Sequence, residues 1–185
     1  MRRKLIAGNW KMHSTAAEAA SRLAELKPLV AQSAAEVVVC VPFTSLDAAI
    51  KVCSGSNIGV GAQNVFWLRE GAYTGEVSAP MLRAIGCEWV IVGHSERRQY
   101  FGETNETVWK RTEAALESGL RPIVCVGERL EEREAGSTEA VLAEQFREGI
   151  APLSADKFSK IVIAYEPVWA IGTCRSPIRA HMRSR

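Results

Sequence analysis

Glu166 has the setting of a general base. It follows a predicted strand that contains the apolar run Ile161 to Ala164, and Pro167 prevents that strand from continuing regularly. A carboxylate beside apolar side chains at a strand end can take up a proton from a bound molecule. The alternative is a glutamate that pairs with a lysine or an arginine, and this motif alone leaves both interpretations open.

His94 is the second candidate for chemistry. It leaves a predicted strand just where Ser95 and Glu96 should begin a short helix, and Gly93 lets the backbone come close to another group. A neutral imidazole in that position can donate a hydrogen bond to an oxygen on which negative charge develops. The alternative is a capping or core histidine.

Two further segments could hold an anionic substrate. Asn9 and Lys11 follow the first predicted strand, where the ammonium could hold an anion and the amide could donate to an oxygen. Gly172 and Thr173 form the small-residue tip of a flap that begins at Pro167, and their backbone N–H groups could bind a phosphate. The alternatives are a solvated strand end and an ordinary turn.

The remaining candidates favour structural roles. The charged run from Glu128 to Glu134 is typical of a solvated face, and Trp89 and Trp109 are typical of a packed core. The five cysteines are scattered without a CxxC pair, which predicts no zinc site and indicates a reducing cytosol.

The elements that position these residues read as repeated strand–helix units. Predicted strands begin near positions 4, 36, 58, 89, 121 and 159, with helical segments between them. This alternation predicts a parallel sheet covered by helices, either open or closed into a barrel. A (β/α)8 barrel is favoured because polar residues cluster at the carboxyl ends of the strands, namely Asn9, Lys11, Gln63, His94, Glu128 and Glu166.

Charge and composition narrow the classes of partner. The chain has 185 residues and a formal net charge of +2. Residues 174–185 hold four arginines and no acid, so the rest carries 19 basic and 21 acidic residues, a net charge of −2. We therefore expect no nucleic-acid partner.

Two further classes are excluded by missing sequence patterns. An apolar run of about 18 residues is absent from the sequence, so we expect no membrane span. No G-x-G-x-x-G follows the first predicted strand, so we expect no dinucleotide site.

Longer motifs occur in a fixed order along the chain, and they resemble those of the triosephosphate isomerase family from residue 4 to residue 173. The matching segments are Asn9–Met12, Gln63–Asn64, Gly71–Glu76, Val92–Arg98, Cys125–Glu128 and Ala164–Thr173. The resemblance implies a cytoplasmic enzyme of glycolysis and gluconeogenesis that interconverts dihydroxyacetone phosphate and D-glyceraldehyde 3-phosphate, with no cofactor and no metal. Another phosphate-binding barrel enzyme is disfavoured because the His94 and Glu166 motifs both match in extended context.

The same resemblance implies roles for individual residues. Glu166 matches the base, and His94 matches the neutral electrophile that stabilises the enediolate. Asn9 and Lys11 match residues that contact the substrate and stabilise its charge, and Gly172 matches a backbone donor to the phosphate.

Three more positions have implied roles. Ser95 and Glu96 match supporting residues near the electrophile. Thr74 matches the tip of a loop that inserts into a second subunit, so a homodimer is implied.

The chain departs from the family pattern after Thr173. A complete barrel has about 250 residues in eight βα units, whereas six units are predicted here. We therefore predict an incomplete barrel domain over residues 1–173, and an atypical, disordered basic tail over 174–185 with the composition of an out-of-frame extension. We expect marginal stability and little activity, and the alternative function is that of an inactive remnant acting as a non-catalytic interaction protein.

Overall fold

The computed structural model describes residues 4–172, so Thr173 and the predicted tail lie outside the described residues. All six predicted strands are present, and they form one sheet in which each strand lies beside its neighbour in the sequence. The pairs from β1 to β4 run parallel. The strands are β1 (Leu5–Asn9), β2 (Glu36–Val41), β3 (Ile58–Ala62), β4 (Trp89–Val92), β5 (Arg121–Val126) and β6 (Val162–Tyr165).

Helices separate the strands, as the alternating pattern predicts. They are α1 (Ala16–Val30), α2 (Leu46–Cys53), α3 (Ala79–Ala84), α4 (Ser95–Tyr100), α5 (Asn105–Glu117), α6 (Leu130–Glu134), α7 (Thr138–Gly149) and α8 (Ala155–Phe158). The first helix begins at a capping box, in which the Thr15 hydroxyl accepts from the Glu18 N–H and the Glu18 carboxylate accepts from the Thr15 N–H. None of the helices within residues 4–172 is long and apolar enough to cross a membrane.

The described residues form two compact units. The first contains residues 4–92 and 111–123, and the second contains residues 93–110 and 124–172. The first unit therefore includes β1 to β4 and the start of β5, and the second includes the end of β5 and β6.

The core of the first unit is built around Trp89, which is 1% exposed. Two glycines of β3 make room for its indole. A Cβ at Gly61 would lie 2.9 Å from the Trp89 Cβ and 2.7 Å from the Cys40 Sγ, and a Cβ at Gly59 would lie 2.9 Å from the indole nitrogen. The predicted core position of Trp89 is therefore confirmed.

Gly93 opens the second unit and needs to be a glycine for two reasons. Its φ of 72° lies in the left-handed region, and a Cβ there would lie 2.8 Å from a Val108 methyl group. This close approach confirms the interpretation of Gly93 and lets the chain turn sharply from β4 into α4.

Candidate active site

His94 lies in the second unit as the N-cap of α4, and it is 5% exposed. Its Nδ1 accepts a hydrogen bond from the Glu96 N–H at 3.2 Å. Because an accepting ring nitrogen carries no proton, a neutral His94 holds its proton on Nε2. The helix start therefore presents the Nε2–H of His94 as a hydrogen-bond donor.

Glu166 faces that nitrogen directly. Its Oε1 lies 3.4 Å from the His94 Nε2, and its side chain is 25% exposed. Its Oε2 is buried and has no hydrogen-bond partner among residues 4–172. A partly desolvated carboxylate oxygen without a donor is suited to receive a proton from a bound molecule. The two residues that the sequence singled out for proton chemistry thus lie together.

A cavity of about 350 Å³ opens beside Glu166 within the second unit. Ser95 and Arg98 of α4, Gly127 after β5 and Gln145 of α7 line it together with Glu166. Its volume lies within the range of small-molecule sites, about 300–1,000 Å³. Glu96 does not line it, but its carboxylate lies 3.5 Å from the His94 Nδ1.

Asn9 and Lys11 lie in the first unit, at and just after the end of β1. The Asn9 Oδ1 accepts from the Lys11 N–H at 2.9 Å. Gln63, to which the sequence assigned no role, donates from Nε2 to the Lys11 carbonyl at 2.8 Å and to the Cys40 carbonyl at 3.0 Å. Lys11 has a φ of 51°, a left-handed conformation that costs about 1–3 kcal/mol in a residue with a Cβ. The hydrogen bonds hold the lysine in this unfavourable conformation, as is common at functional sites.

Glu128 contradicts the prediction of a solvated charged face. It is fully buried, whereas the residues after it form the short helix α6. Its carboxylate accepts from the Tyr165 hydroxyl at 2.9 Å, from the Trp169 Nε1 at 2.9 Å and from Arg133 at 3.2 Å. Burial raises the pKa of the Glu128 carboxyl, but the hydrogen bonds from Trp169, from its own backbone N–H, and from Tyr165 and Arg133 together outweigh burial and hold this pKa below its ordinary value.

The sequence supported two interpretations of Glu128, a polar residue at a strand end and a member of a solvated charged face. Glu128 lies two residues after the end of β5, and it also begins the charged run that continues through Arg129 into α6. The strand-end interpretation is confirmed, and the interpretation as a solvated face is wrong for this residue.

The start of the flap is fastened to the end of β5. The Glu166 N–H donates to the Val126 carbonyl at 2.8 Å, and the Val168 N–H donates to the Glu128 carbonyl at 3.1 Å. Trp169 lies in a 3-10 turn, Val168–Ala170, and donates to Glu128 as described above. These contacts fix both the backbone of Glu166 and the first part of the flap.

Two predicted residues lie at exposed positions. Gly172, at the tip of the flap, has a φ of 69°. Thr74 lies in the first unit, in the long loop between β3 and α3. Residues 4–172 contain no cluster of three or more histidine, cysteine, aspartate or glutamate side chains arranged to hold a metal ion.

Comparisons with known proteins identify the family of this chain. The triosephosphate isomerase family model matches residues 4–184. A triosephosphate isomerase of Solibacter usitatus is 63% identical over 174 residues, which cover 94% of this chain and 70% of the relative. That of Moorella thermoacetica is 58% identical over 180 residues, which cover 97% of this chain and 72% of the relative.

A solved structure gives the same result for the fold. The crystal structure of triosephosphate isomerase from Bartonella henselae matches with a TM-score of 0.85 and 39% identity, covering 91% of this chain and 69% of that one. These findings confirm the predicted (β/α)8-barrel family and the isomerase class. The chain belongs to the triosephosphate isomerase family.

Proposed function

We propose that Glu166 and His94 interconvert dihydroxyacetone phosphate and D-glyceraldehyde 3-phosphate through an enediolate. The observation that carries this proposal is the 3.4 Å separation between the Glu166 Oε1 and the His94 Nε2. A base and a hydrogen-bond donor at this separation can act on adjacent atoms of one small substrate. The reaction needs both groups, because a proton leaves carbon while negative charge grows on oxygen.

The proton transfers balance with these two side chains. Glu166 removes a proton from the hydroxyl-bearing carbon next to the carbonyl, and the electron pair of that C–H bond forms the C=C bond of the enediolate. The carbonyl π electrons move onto the carbonyl oxygen, where the Nε2–H of His94 stabilises the negative charge. His94 then moves a proton between the two neighbouring oxygens. Glu166 returns its proton to the adjacent carbon, which yields the aldehyde.

Asn9 and Lys11 bind the substrate in this proposal. The Lys11 ammonium offsets the negative charge of the substrate and of the enediolate. Because the Asn9 Oδ1 accepts from the Lys11 backbone, the NH2 group of Asn9 is the end that can donate to a substrate oxygen.

The flap completes the proposed site. Its Gly172 N–H donates to the phosphate, and closure of the flap excludes water from the reactive enediolate. Ser95 and Glu96 support His94, the latter through the backbone N–H that fixes the ring.

The proposed setting follows from the family. The protein acts in the cytoplasm, in glycolysis and gluconeogenesis, and Thr74 inserts into a second copy of the chain to form a homodimer. The exposure of Thr74 in the β3–α3 loop is the supporting observation.

Turnover of D-glyceraldehyde 3-phosphate by the purified chain tests this function. We expect weak isomerisation that falls by a further factor of about 10² to 10⁴ in Glu166→Gln, the usual contribution of a general base. Glu88→Gln, which changes an exposed glutamate before β4 in the same way, should leave the rate unchanged. No turnover by the unsubstituted chain would instead favour the non-catalytic interaction protein.

A further inference from the structure

Gln145 of α7 binds both polar groups of one residue after β5. Its Oε1 accepts from the Gly127 N–H at 2.9 Å, and its Nε2 donates to the Gly127 carbonyl at 3.0 Å. A planar amide that makes both bonds to one residue fixes the position and the tilt of that residue. No local sequence pattern indicates this contact, because the partners are 18 positions apart.

Gly127 in turn lies directly against the base. A Cβ on Gly127 would lie 1.8 Å from the Glu166 carbonyl oxygen and 2.7 Å from its carbonyl carbon. Only a glycine can approach so closely, so the two backbones are in full contact with no side chain between them. A displacement of Gly127 toward Glu166 would therefore push the backbone of the base.

The neighbours of Gly127 extend this contact. The Val126 carbonyl accepts from the Glu166 N–H, and the Glu128 carbonyl accepts from the Val168 N–H. Residues 126–128 thus form the surface on which residues 166–168 are held, and Gln145 grips the middle of that surface. Gly127 and Gln145 line the cavity beside Glu166. If Gln145 released Gly127, that residue could therefore move into open space.

We infer that Gln145 is a positioning residue for Glu166, acting through the Gly127 backbone. This inference rests on the proposed function for the role of Glu166 as base, but not for the backbone contact itself. The carboxylate is useful only if it is held at the correct place relative to the carbon that loses its proton. A misplacement of about 1 Å can cost about 100-fold in rate.

Gln145→Leu tests the inference, since leucine is similar in volume but makes neither hydrogen bond. We expect kcat to fall about 10- to 100-fold with KM changed less than about threefold, because positioning of the base affects the chemical step more than binding. Amide hydrogen exchange at Glu166 and Val168 should accelerate about tenfold or more relative to amides of α5 and α7. Glu144→Leu, at the exposed neighbouring position of α7, should change neither quantity.

A second variant keeps the test decisive if Gln145→Leu fails to fold. Gln145→Glu retains an acceptor for the Gly127 N–H but has no N–H for its carbonyl. We expect an intermediate loss of kcat and an intermediate acceleration of exchange at Glu166.

The outcomes separate this inference from the proposed function. Unchanged exchange at Glu166 in both Gln145 variants would overturn the inference, and so would an equal acceleration at every protected amide. It would also be overturned by faster exchange at Glu166 with unchanged kcat, in a chain that Glu166→Gln inactivates. If the unsubstituted chain is inactive, or Glu166→Gln keeps full activity, the proposed function fails, while the exchange data still decide whether Gln145 holds the backbone of residue 166.

Discussion

A histidine can stabilise negative charge on a substrate only if the correct ring nitrogen carries the proton. In this chain the start of α4 decides the matter, because the Glu96 N–H occupies the Nδ1 of His94. The proton of the neutral ring is then on Nε2, the nitrogen that faces Glu166. One backbone hydrogen bond thus converts a capping histidine, which was the alternative interpretation, into a directed donor.

Lys11 provides a prediction at the scale of one residue. Lys11→Met keeps most of the length of the side chain and leaves a residue with a Cβ in the left-handed conformation, but it removes the positive charge. A hydrogen bond to a charged group contributes about 1.5–3 kcal/mol, so we expect kcat/KM to fall roughly 10- to 150-fold. Steady-state kinetics should show no such loss for the control variant Lys51→Met, since Lys51 is exposed and pairs with the exposed Asp47 within α2. Equal kinetics for both variants would remove Lys11 from the proposed site.

Single elements position these residues, and they differ in how well the sequence predicts them. The strands were predictable because β-branched and apolar runs end at polar residues, and α4 was predictable from Gly93 and His94. The burial of Glu128 was not, since a carboxylate in a charged run is usually solvated, whereas here Trp169 and Tyr165 supply its hydrogen bonds from positions distant in sequence. Nor does any sequence pattern predict the left-handed Lys11 or the contact of Gly127 with Gln145.

A second prediction concerns the contribution of Glu128 to the free energy of unfolding. Its folded-state pKa lies below the ordinary value of 4.5, so its stabilising contribution is complete above that pH and is lost as the pH falls through the folded pKa. We expect Glu128→Gln to lower the free energy of unfolding by about 1.5–3 kcal/mol at pH 7, because hydrogen bonds to a charged acceptor are lost. The difference from the unsubstituted chain should shrink below about pH 4.5.

Urea unfolding at pH 7, 5, 4 and 3.5 measures this difference. Glu139→Gln, at an exposed position in the first turn of α7, serves as the control. A difference for Glu128→Gln that stays constant over this range would show that the carboxylate does not titrate as described.

Gly127 gives the third prediction, again at the scale of the element. Gly127→Ala places a methyl group at 1.8 Å from the Glu166 carbonyl oxygen, so the end of β5 and the start of the flap must separate. We expect the free energy of unfolding to fall by about 1–3 kcal/mol or more, the usual cost of overpacking, and we expect kcat to fall as well. Thermal unfolding and steady-state kinetics measure both effects. Gly136→Ala is the matched control, since a Cβ there would have no neighbour within 4 Å, although its φ of 71° adds some backbone strain. Wild-type stability and kcat in Gly127→Ala would contradict the close approach.

The family assignment also bears on the length and the assembly of the whole molecule. The chain spans about 70% of the length of the relatives that it matches at 63% and 58% identity. The proposed homodimer concerns the whole molecule rather than the cavity beside Glu166. Thr74 lies in an exposed loop and does not line that cavity.

Thr74→Arg tests the proposed dimer. We expect sedimentation equilibrium to give twice the chain mass of 20.2 kDa for the unsubstituted protein and a shift toward one chain for Thr74→Arg, since a buried unpaired charge disfavours an interface. Ala140→Arg adds the same charge at an exposed position of α7 and should leave the mass unchanged. A monomer in every case would refute the role proposed for Thr74.

If Glu166 takes a proton from the carbon next to the substrate carbonyl, that carbon exchanges its hydrogen with heavy water during the reaction. Dihydroxyacetone phosphate is incubated with the protein in D2O, and deuterium at that carbon is followed by proton NMR. We expect deuterium incorporation by the unsubstituted chain and by Glu88→Gln, and a loss of about 10²-fold or more in Glu166→Gln. Incorporation by Glu166→Gln at the rate of the unsubstituted chain would show that Glu166 is not the base.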